Sequence, residues 1–250
     1  MEFSTVWGVH PIRELLNRDP ARISEVVIHH LRPGPKLQEI SRLARELGIK
    51  VRFDPSGKKI SAVDSGVDGE LRHQGITATV LPFGLVSLEE MVARSRADSR
   101  PPLLLALDSI QDPYNLGAII RSALAAGVHG VILTKDRSAP LTGTVAKASA
   151  GAIAHMQICR VVNLVAALNY LKKEGVWIFG TAKDAPLSIY QTDFSGPACL
   201  VVGGEGKGIR PLVREQCDFL VTIPMQGGLD SLNSSVAAAV VLFEIARQRS

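Results

Sequence analysis

The feature that most constrains the fold is a regular alternation of short apolar runs with helical stretches from residue 103 onward. The runs are rich in Val, Ile and Leu, and a stretch with helical periodicity separates most of them from the next. The predicted strands are Leu103–Leu107, Val128–Leu133, Met156–Val161, Val176–Gly180, Ala198–Val202 and Phe219–Ile223, and the predicted helices include Leu116–Ala126, Asn163–Glu174 and Ser234–Gln248. Strands that are apolar throughout are typical of a parallel sheet covered by helices on both faces, so the pattern predicts an α/β fold.

The first 82 residues predict a second, smaller α/β domain. Its pattern also alternates, and Gly48 ends the clearest helical stretch. The predicted elements are a helix from Pro11 to about Asn17, a strand at Glu25–His29, a helix over Leu37–Leu47 and strands at Ile49–Phe53 and Ile76–Leu81.

A change of composition predicts the boundary between the two domains. Ser87-Leu88-Glu89-Glu90 has the pattern of a capping box, which predicts a short helix through Arg94. The polar, proline-rich stretch Asp98–Pro102 follows. We therefore divide the chain into a domain at residues 1–82, a linker at 83–102 and a domain at 103–250.

Composition indicates where the protein is found more clearly than it indicates what the protein does. No apolar run is long enough to span a bilayer, and the first residues lack the features of a signal peptide, so we expect a cytoplasmic protein with no membrane partner. The three cysteines lie far apart, which indicates neither a zinc site nor a redox pair. A net charge of +4 is compatible with a polyanionic partner but is shared by many soluble enzymes.

Ligands of parallel sheets bind beyond the carboxyl ends of the strands, so the segments after the strands matter most. The first of them, Asp108–Arg121, follows a buried strand and opens a helix for which Asn115 is the predicted N-cap. Arg121 lies about 1.7 helical turns further along. Taken alone, the segment is also compatible with a capped helix that carries one surface arginine.

Two further segments have an unusual composition. Gly203–Ile209 has glycine at four of its first six positions, so its backbone N–H groups can face a ligand, although a simple glycine-rich turn would read the same way. Its spacing fits neither the Walker A motif nor the dinucleotide fingerprint. In Ile223–Val236, four polar residues exceed what one helix cap needs; they are Ser231, Asn233, Ser234 and Ser235.

Together and in this order, the three segments resemble the SpoU (TrmH-like) family of SPOUT RNA 2′-O-ribose methyltransferases. The resemblance rests on DPYNLGAIIR, GGEGKGI and IPM…SLNSSVA, and it covers about residues 103–248. Trp7-Gly8-Val9-His10-Pro11 and Arg72-His73-Gln74-Gly75 add a likeness to the subfamily with an N-terminal RNA-binding domain similar to ribosomal protein L30e. One departure is Ser234, where relatives often carry an apolar residue.

The resemblance implies a fold, a cofactor and an assembly. The C-terminal sheet would be tied in a deep trefoil knot, which periodicity could not have predicted. S-adenosylmethionine would be held by the glycine loop and the third segment, and the protein would be a homodimer with the site near the subunit interface. The implied cofactor-binding residues are Gly203, Gly204, Ile223, Met225 and Leu232. No metal is implied.

The resemblance also implies a reaction, the transfer of a methyl group to a ribose 2′-hydroxyl. The resemblance would give Arg121 the activating role at the ribose. A guanidinium stays protonated in proteins, so we expect Arg121 to bind phosphate and stabilise the developing alkoxide rather than act as a base. The residues expected to orient the ribose, Arg121 or the cofactor are Asn115, Glu205, Ser231 and Asn233.

The substrate implied by the nearest subfamily is a guanosine in the peptidyl-transferase region of 23S ribosomal RNA. A site in tRNA, another rRNA site of the antibiotic-resistance type, a ring-nitrogen methyltransferase and a non-catalytic RNA-binding protein are the alternatives. Basic residues of the first domain are expected mostly on a solvated face, with some reaching phosphates. They are Arg32, Lys36, Arg42, Arg45, Lys58 and Lys59.

Overall fold

A computed structural model describes residues 3–30, 32–54, 73–227 and 231–250. Lys58, Lys59, Arg72 and the part of the third segment at 228–230 lie outside these ranges. The contacts within the chain define two compact units, Met1–Phe83 with Pro140–His155, and Gly84–Ala139 with Met156–Ser250. The chain therefore crosses from one unit to the other three times.

The first unit is built on a four-stranded mixed sheet. Its strands are β1 (Ser4–Trp7), β2 (Ile23–Ile28), β3 (Lys50–Phe53) and β4 (Ile76–Val80), in the order β1-β4-β2-β3. Its helices are α1 (Val9–Arg18) and α2 (Pro35–Glu46), with α5 (Gly143–Ala148) from the later segment. β2 and β3 run parallel, whereas β4 pairs with β1 and β2 antiparallel.

The segment Pro140–His155 is held in the first unit by close contacts. Gly143 lies where any side chain would collide with the backbone of Thr5 and the ring of Trp7. Lys147 Nζ donates to Gln74 Oε1 at 2.8 Å, and the same oxygen accepts from the Val9 backbone N–H at 3.2 Å. The two N-terminal motifs singled out in the sequence thus meet each other at Gln74.

The second unit is a seven-stranded sheet in the order β7-β6-β5-β10-β8-β11-β9, in which every pair is parallel. Its strands are β5 (Leu103–Asp108), β6 (Gly130–Thr134), β7 (Gln157–Val161), β8 (Trp177–Thr181), β9 (Leu187–Ser188), β10 (Ala198–Gly203) and β11 (Phe219–Thr222). Its helices are α3 (Leu88–Arg96), α4 (Pro113–Ala125), α6 (Leu164–Lys173), α7 (Pro211–Arg214) and α8 (Ser234–Gln248). Every residue of β5, β6 and β10 is buried, as expected for central strands covered on both faces.

The stretch predicted as a linker also contributes to this core. Ser87 caps α3, and its hydroxyl accepts from the Glu90 N–H at 3.0 Å, as the capping box predicts. The Glu90 carboxylate binds Arg94 rather than reaching back to the cap. Met91 and Val92 of α3 are buried in the hydrophobic cluster of the sheet. The helix is therefore a packed element of the second unit.

Candidate active site

Three loops follow the carboxyl ends of β5, β10 and β11. β5 and β10 are hydrogen-bonded neighbours, with Asp108 opposite Gly203 at their last residues, and β8 separates β10 from β11. Two of the helices that follow, α4 and α8, pack against each other. Parallel strands end at one edge of the sheet, so side chains from all three segments can meet there.

The first segment positions Asn115 differently from the prediction. Asp112, not Asn115, is the N-cap of α4, and its carboxylate accepts from the backbone N–H groups of Tyr114 and Asn115 at 3.1 Å each. Asp112 precedes Pro113. Proline suits the first position of a helix because a backbone N–H there would have no partner within the helix, so nothing is lost by its absence. The helix therefore begins earlier than predicted, and the Asn115 side chain is left to make other contacts.

The third segment supplies a residue with two roles. Asn233 is the N-cap of α8, and its Oδ1 accepts from the backbone N–H groups of Ser235 at 2.9 Å and Val236 at 3.4 Å. Its Nδ2 donates to Asn115 Oδ1 at 3.0 Å and to Glu205 Oε1 at 2.9 Å. The oxygen of the Asn233 amide thus caps α8, and its nitrogen donates to side chains of the other two loops.

The three loops are joined by a hydrogen-bonded triangle of Asn115, Glu205 and Asn233. Its third side runs from Asn115 Nδ2 to Glu205 Oε1 at 2.6 Å. Two amide donors therefore converge on one carboxylate oxygen, and bonds to an ionised acceptor are the stronger kind. The triangle fixes Glu205, the acidic side chain of the glycine loop, relative to both helices.

Arg121 and Ser231 are not part of this triangle. Both side chains are exposed, and within the described part of the chain neither makes a hydrogen bond or an ion pair. Arg121 lies on α4 six residues beyond Asn115. Its donors are free to meet an anionic group.

The glycine loop brings backbone segments together more closely than side chains permit. At Gly203, the last residue of β10, a Cβ would overlap the backbone of Gly208 and Ile209; at Gly204 it would overlap the Ser109 carbonyl. The Gly208 N–H donates to the Gly204 carbonyl at 3.1 Å and closes the loop. Gly206 and Gly208 have φ of +83° and +62°, which glycine adopts most easily.

The predicted apolar cofactor residues lie in the third segment and are partly open to solvent. Ile223 is half-buried, whereas Met225 and Leu232 are 38% and 36% exposed. Partly open apolar side chains are the kind of surface against which a ligand with a flat aromatic part binds.

Sequence reasoning did not assign a role to Asp108 or Arg210. Asp108 is fully buried at the end of β5, and its Oδ1 accepts from Arg210 Nε at 2.7 Å. Asp108 could have been noticed in the sequence, because it is an acidic residue at the end of an otherwise apolar strand. No sequence feature points to Arg210, because its partner lies far away along the chain.

Other reactive side chains have ordinary structural surroundings. Burial raises the pKa of the Cys159 thiol to about 11 and that of Cys217 to about 12, so both stay protonated at neutral pH. His29 Nε2 lies 3.0 Å from Thr77 Oγ1, and burial lowers the pKa of the ring. Among the described residues, no group of three or more His, Cys, Asp and Glu is arranged to hold a metal ion.

Two family models match the chain. The SpoU rRNA methylase family matches residues 102–243, and the RNA 2′-O ribose methyltransferase substrate-binding family matches residues 5–84. A curated relative, the 23S rRNA (guanosine-2′-O-)-methyltransferase RlmB of Pseudomonas aeruginosa, is 43% identical over 252 residues, which cover 100% of this chain and 98% of the relative.

Solved structures share the fold. The SpoU methyltransferase AviRb from Streptomyces viridochromogenes in complex with AdoMet gives a TM-score of 0.78 at 24% identity, covering 98% of this chain and 90% of that one. A putative RNA methyltransferase of the TrmH family from Porphyromonas gingivalis gives a TM-score of 0.73 at 28% identity, with 98% and 90% covered.

Fold, site and similarity together define an α/β methyltransferase that acts on RNA and uses S-adenosylmethionine. The chain belongs to the SpoU rRNA methylase family. The fold class and the family resemblance predicted from the sequence are therefore confirmed, including the substrate-binding domain at the N-terminus. A trefoil knot is what membership of this family implies for the C-terminal unit.

Proposed function

We propose that the protein transfers the methyl group of S-adenosylmethionine to the 2′-hydroxyl of a guanosine ribose in the peptidyl-transferase region of 23S ribosomal RNA. The triangle of Asn115, Glu205 and Asn233 carries the proposal, because it joins all three family segments into one polar site. The activity of the P. aeruginosa relative, a 23S rRNA guanosine 2′-O-methyltransferase, supports the choice of nucleotide and RNA.

The residues present fit the cofactor. A Cβ at Gly203 or Gly204 would overlap backbone atoms, so the glycine loop keeps a compact backbone there, while Ile223, Met225 and Leu232 offer apolar surface for an adenine ring. Gly203, Gly204 and these three residues would hold the cofactor, whose sulfonium supplies an already activated methyl group. The protein must then position a ribose hydroxyl and stabilise the loss of its proton.

Arg121 is the residue we assign to the hydroxyl. Its guanidinium stays protonated in proteins, so it cannot take the proton as a base. A fixed positive charge beside the hydroxyl stabilises the developing alkoxide, and the same fork of donors suits a neighbouring phosphate. Its exposure and lack of a partner among the described residues agree with both tasks.

Asn115, Glu205, Asn233 and Ser231 have a positioning role in this proposal. The triangle holds the Glu205 carboxylate in place, where it favours a cationic ligand over a phosphate. Ser231 lies two residues before the cap of α8, and its exposed hydroxyl, which has no partner among the described residues, can donate to the ribose.

The proposal is tested by methylation of defined RNAs with radiolabelled cofactor. A 23S rRNA fragment from the peptidyl-transferase region should be labelled, and alkaline hydrolysis should release the label in a dinucleotide, because a 2′-O-methyl group blocks cleavage at its own linkage. Label in a mononucleotide would mean methylation of a base. Label in tRNA but not in the fragment would assign the enzyme to another substrate.

A homodimer is part of the same proposal. Val236 and Phe243 lie on one face of α8, seven residues apart, and are 48% and 51% exposed. Phe243→Glu should shift the sedimentation coefficient of the protein from dimer to monomer, whereas Leu212→Glu, at a residue 67% exposed on α7, should not. A Phe243→Glu variant that sediments like the unmodified dimer would place the interface elsewhere.

The cytoplasm, where ribosomal RNA is made and modified in bacteria, is the setting we propose. None of the described helices has the length and apolar character needed to cross a bilayer.

A further inference from the structure

Asp108 is a charged residue in a position where charges are rare. It ends the central strand β5 and is 0% exposed. Burying an unpaired carboxylate is costly, and breaking a buried pair leaves that cost uncompensated. A buried carboxylate at the edge that carries the active site therefore calls for a functional account.

Asp108 binds both ends of the glycine loop. Its backbone carbonyl accepts from the Gly204 N–H at 2.9 Å, at the start of the loop. Its carboxylate accepts from the Arg210 backbone N–H at 2.8 Å and from Arg210 Nε at 2.7 Å, at the end of the loop. Asp108 thus fixes the start of the glycine loop, after β10, and its end, before α7.

The residue after Asp108 has a strained backbone conformation. Ser109 has φ of +67°, a left-handed backbone that residues other than glycine seldom adopt. Its carbonyl lies against Gly204, at the position that a Cβ would fill. Strain of this kind persists where the surrounding structure over-determines it, and it concentrates at functional sites.

We propose that the Asp108–Arg210 ion pair is a positioning device that presets the glycine loop for S-adenosylmethionine. Neither residue belongs to the triangle, and the pair acts through the loop backbone and through Glu205 within it. A loop already ordered in its binding conformation loses less entropy when the ligand binds. Removing the pair should therefore weaken cofactor binding and leave the transfer step largely intact.

Arg210→Gln is the first test, because the Arg210 side chain is 38% exposed and its removal leaves no cavity in the core. Calorimetry should show a cofactor Kd raised on the order of tenfold. At saturating cofactor, kcat and the KM for RNA should stay within about threefold of wild type, and Arg210→Lys, which keeps the charge, should restore part of the affinity. If the pair only supported the fold, its removal would lower cofactor affinity and kcat together.

The double variant Asp108→Asn/Arg210→Gln removes both charges and so leaves no unpaired charge to unfold the protein. If the two residues act as one pair, the cofactor Kd of the double variant should equal that of Arg210→Gln and should not rise further. The matched control is Arg214→Gln, which breaks the surface pair of Arg214 with Asp184 at 2.9 Å close to the same loop and should not change the Kd.

Three results would overturn the proposal: a cofactor Kd unchanged within twofold in both Arg210→Gln and the double variant, a loss of kcat with the Kd unchanged, or an equal loss of affinity in Arg214→Gln.

Discussion

At the scale of single residues, Arg121 and the triangle of Asn115, Glu205 and Asn233 differ in their surroundings. The triangle is a closed set of hydrogen bonds, so its members restrain one another. Arg121 is open to solvent and has no partner among the described residues, so it is available to substrate. The two groups should therefore respond differently to substitution.

Arg121→Ala should abolish methyl transfer while cofactor affinity is kept. We expect kcat to fall by at least about 100-fold, the loss typical when one donor to a developing oxyanion is removed. The Kd for S-adenosylmethionine, measured by calorimetry, should stay within about threefold. Arg94→Ala, at an exposed arginine of α3, is the control. Parallel loss of cofactor binding and activity would show that Arg121 supports the fold of the pocket.

Asn233 permits a separation of its two roles. Asn233→Ser keeps an N-cap oxygen but has no amide to reach Asn115 and Glu205, so activity should fall while the free energy of unfolding stays within about 0.5 kcal/mol of wild type. Asn233→Ala removes the cap as well and should cost about 1 kcal/mol more. Urea unfolding and a methylation assay measure the two effects, and full activity of the serine variant would refute a role for the amide.

His129 predicts a pH dependence of stability. Its ring is 7% exposed, Nδ1 accepts from the Leu103 N–H at 3.0 Å, and Asp98 lies 3.5 Å from Nε2. Burial lowers the pKa of the ring below its ordinary 6.5, so the unfolded chain takes up the proton first as the pH falls. Neutral His129 therefore contributes fully to the free energy of unfolding above about pH 6.5. Below that pH the contribution is lost, by no more than about 1.4 kcal/mol per pH unit.

His129→Gln should therefore flatten the fall in the free energy of unfolding between pH 7 and pH 5, relative to wild type. His10→Gln, the same substitution at an exposed histidine, is the matched control. A His129→Gln curve that runs parallel to wild type over this range would contradict the assignment.

The residue types of the site could be predicted from the sequence, but not all of their local roles. Asn115 was expected to cap α4; Asp112 does so, because it precedes Pro113 and both of its oxygens reach N–H groups of the first turn. Asp108 and Arg210 pair across more than one hundred residues of chain, and no local pattern encodes such a contact. The roles of Arg121 and Ser231 remain predictions.

At the scale of elements, long apolar strands and capped helices were predictable, whereas short elements were not. The six predicted strands of the second unit are present with shifts of one or two residues at their ends. The missed elements are β1, β9, α5 and α7, each six residues or fewer. Periodicity cannot identify an element of one turn or two residues, because its position is decided by tertiary contacts.

The glycine loop gives a prediction at this scale. Gly204→Ala places a methyl group against the Ser109 carbonyl, so the end of β5 or the loop must move. We expect a lower melting temperature and a cofactor Kd raised on the order of tenfold or more. Gly196→Ala, at a loop glycine with open space around it, should change neither. Wild-type affinity in Gly204→Ala would show that the tight approach is not needed for binding.

At the scale of the whole molecule, the segment Pro140–His155 changes what a truncation experiment will show. It lies within the sequence matched by the methylase family, yet it packs in the first unit. Deleting residues 1–82 would expose Val145 and Ile153, which are 0% and 3% exposed in the intact chain. Each such side chain stabilises the fold by about 1.5–3 kcal/mol when fully buried.

The truncated protein should therefore be prone to aggregation unless the segment is made polar. Val145→Ser and Ile153→Ser in the truncated chain should raise the soluble yield, and the product should bind S-adenosylmethionine but methylate its RNA poorly. Light scattering, calorimetry and a methylation assay give the three readouts. Full activity of the truncated protein on the same RNA would contradict the assignment of RNA recognition to residues 1–82, which stays a prediction.

The threefold crossing of the chain also sets an order of events during synthesis. When residue 83 leaves the ribosome, the first unit still lacks Pro140–His155, and β5 and β6 of the second unit are made before that segment appears. At about 5–20 residues per second, the first unit waits for several seconds with the surface of Trp7 and Pro11 uncovered. Its completion thus depends on translation having already passed through about the first third of the second unit, which couples the completion of one unit to the synthesis of the other.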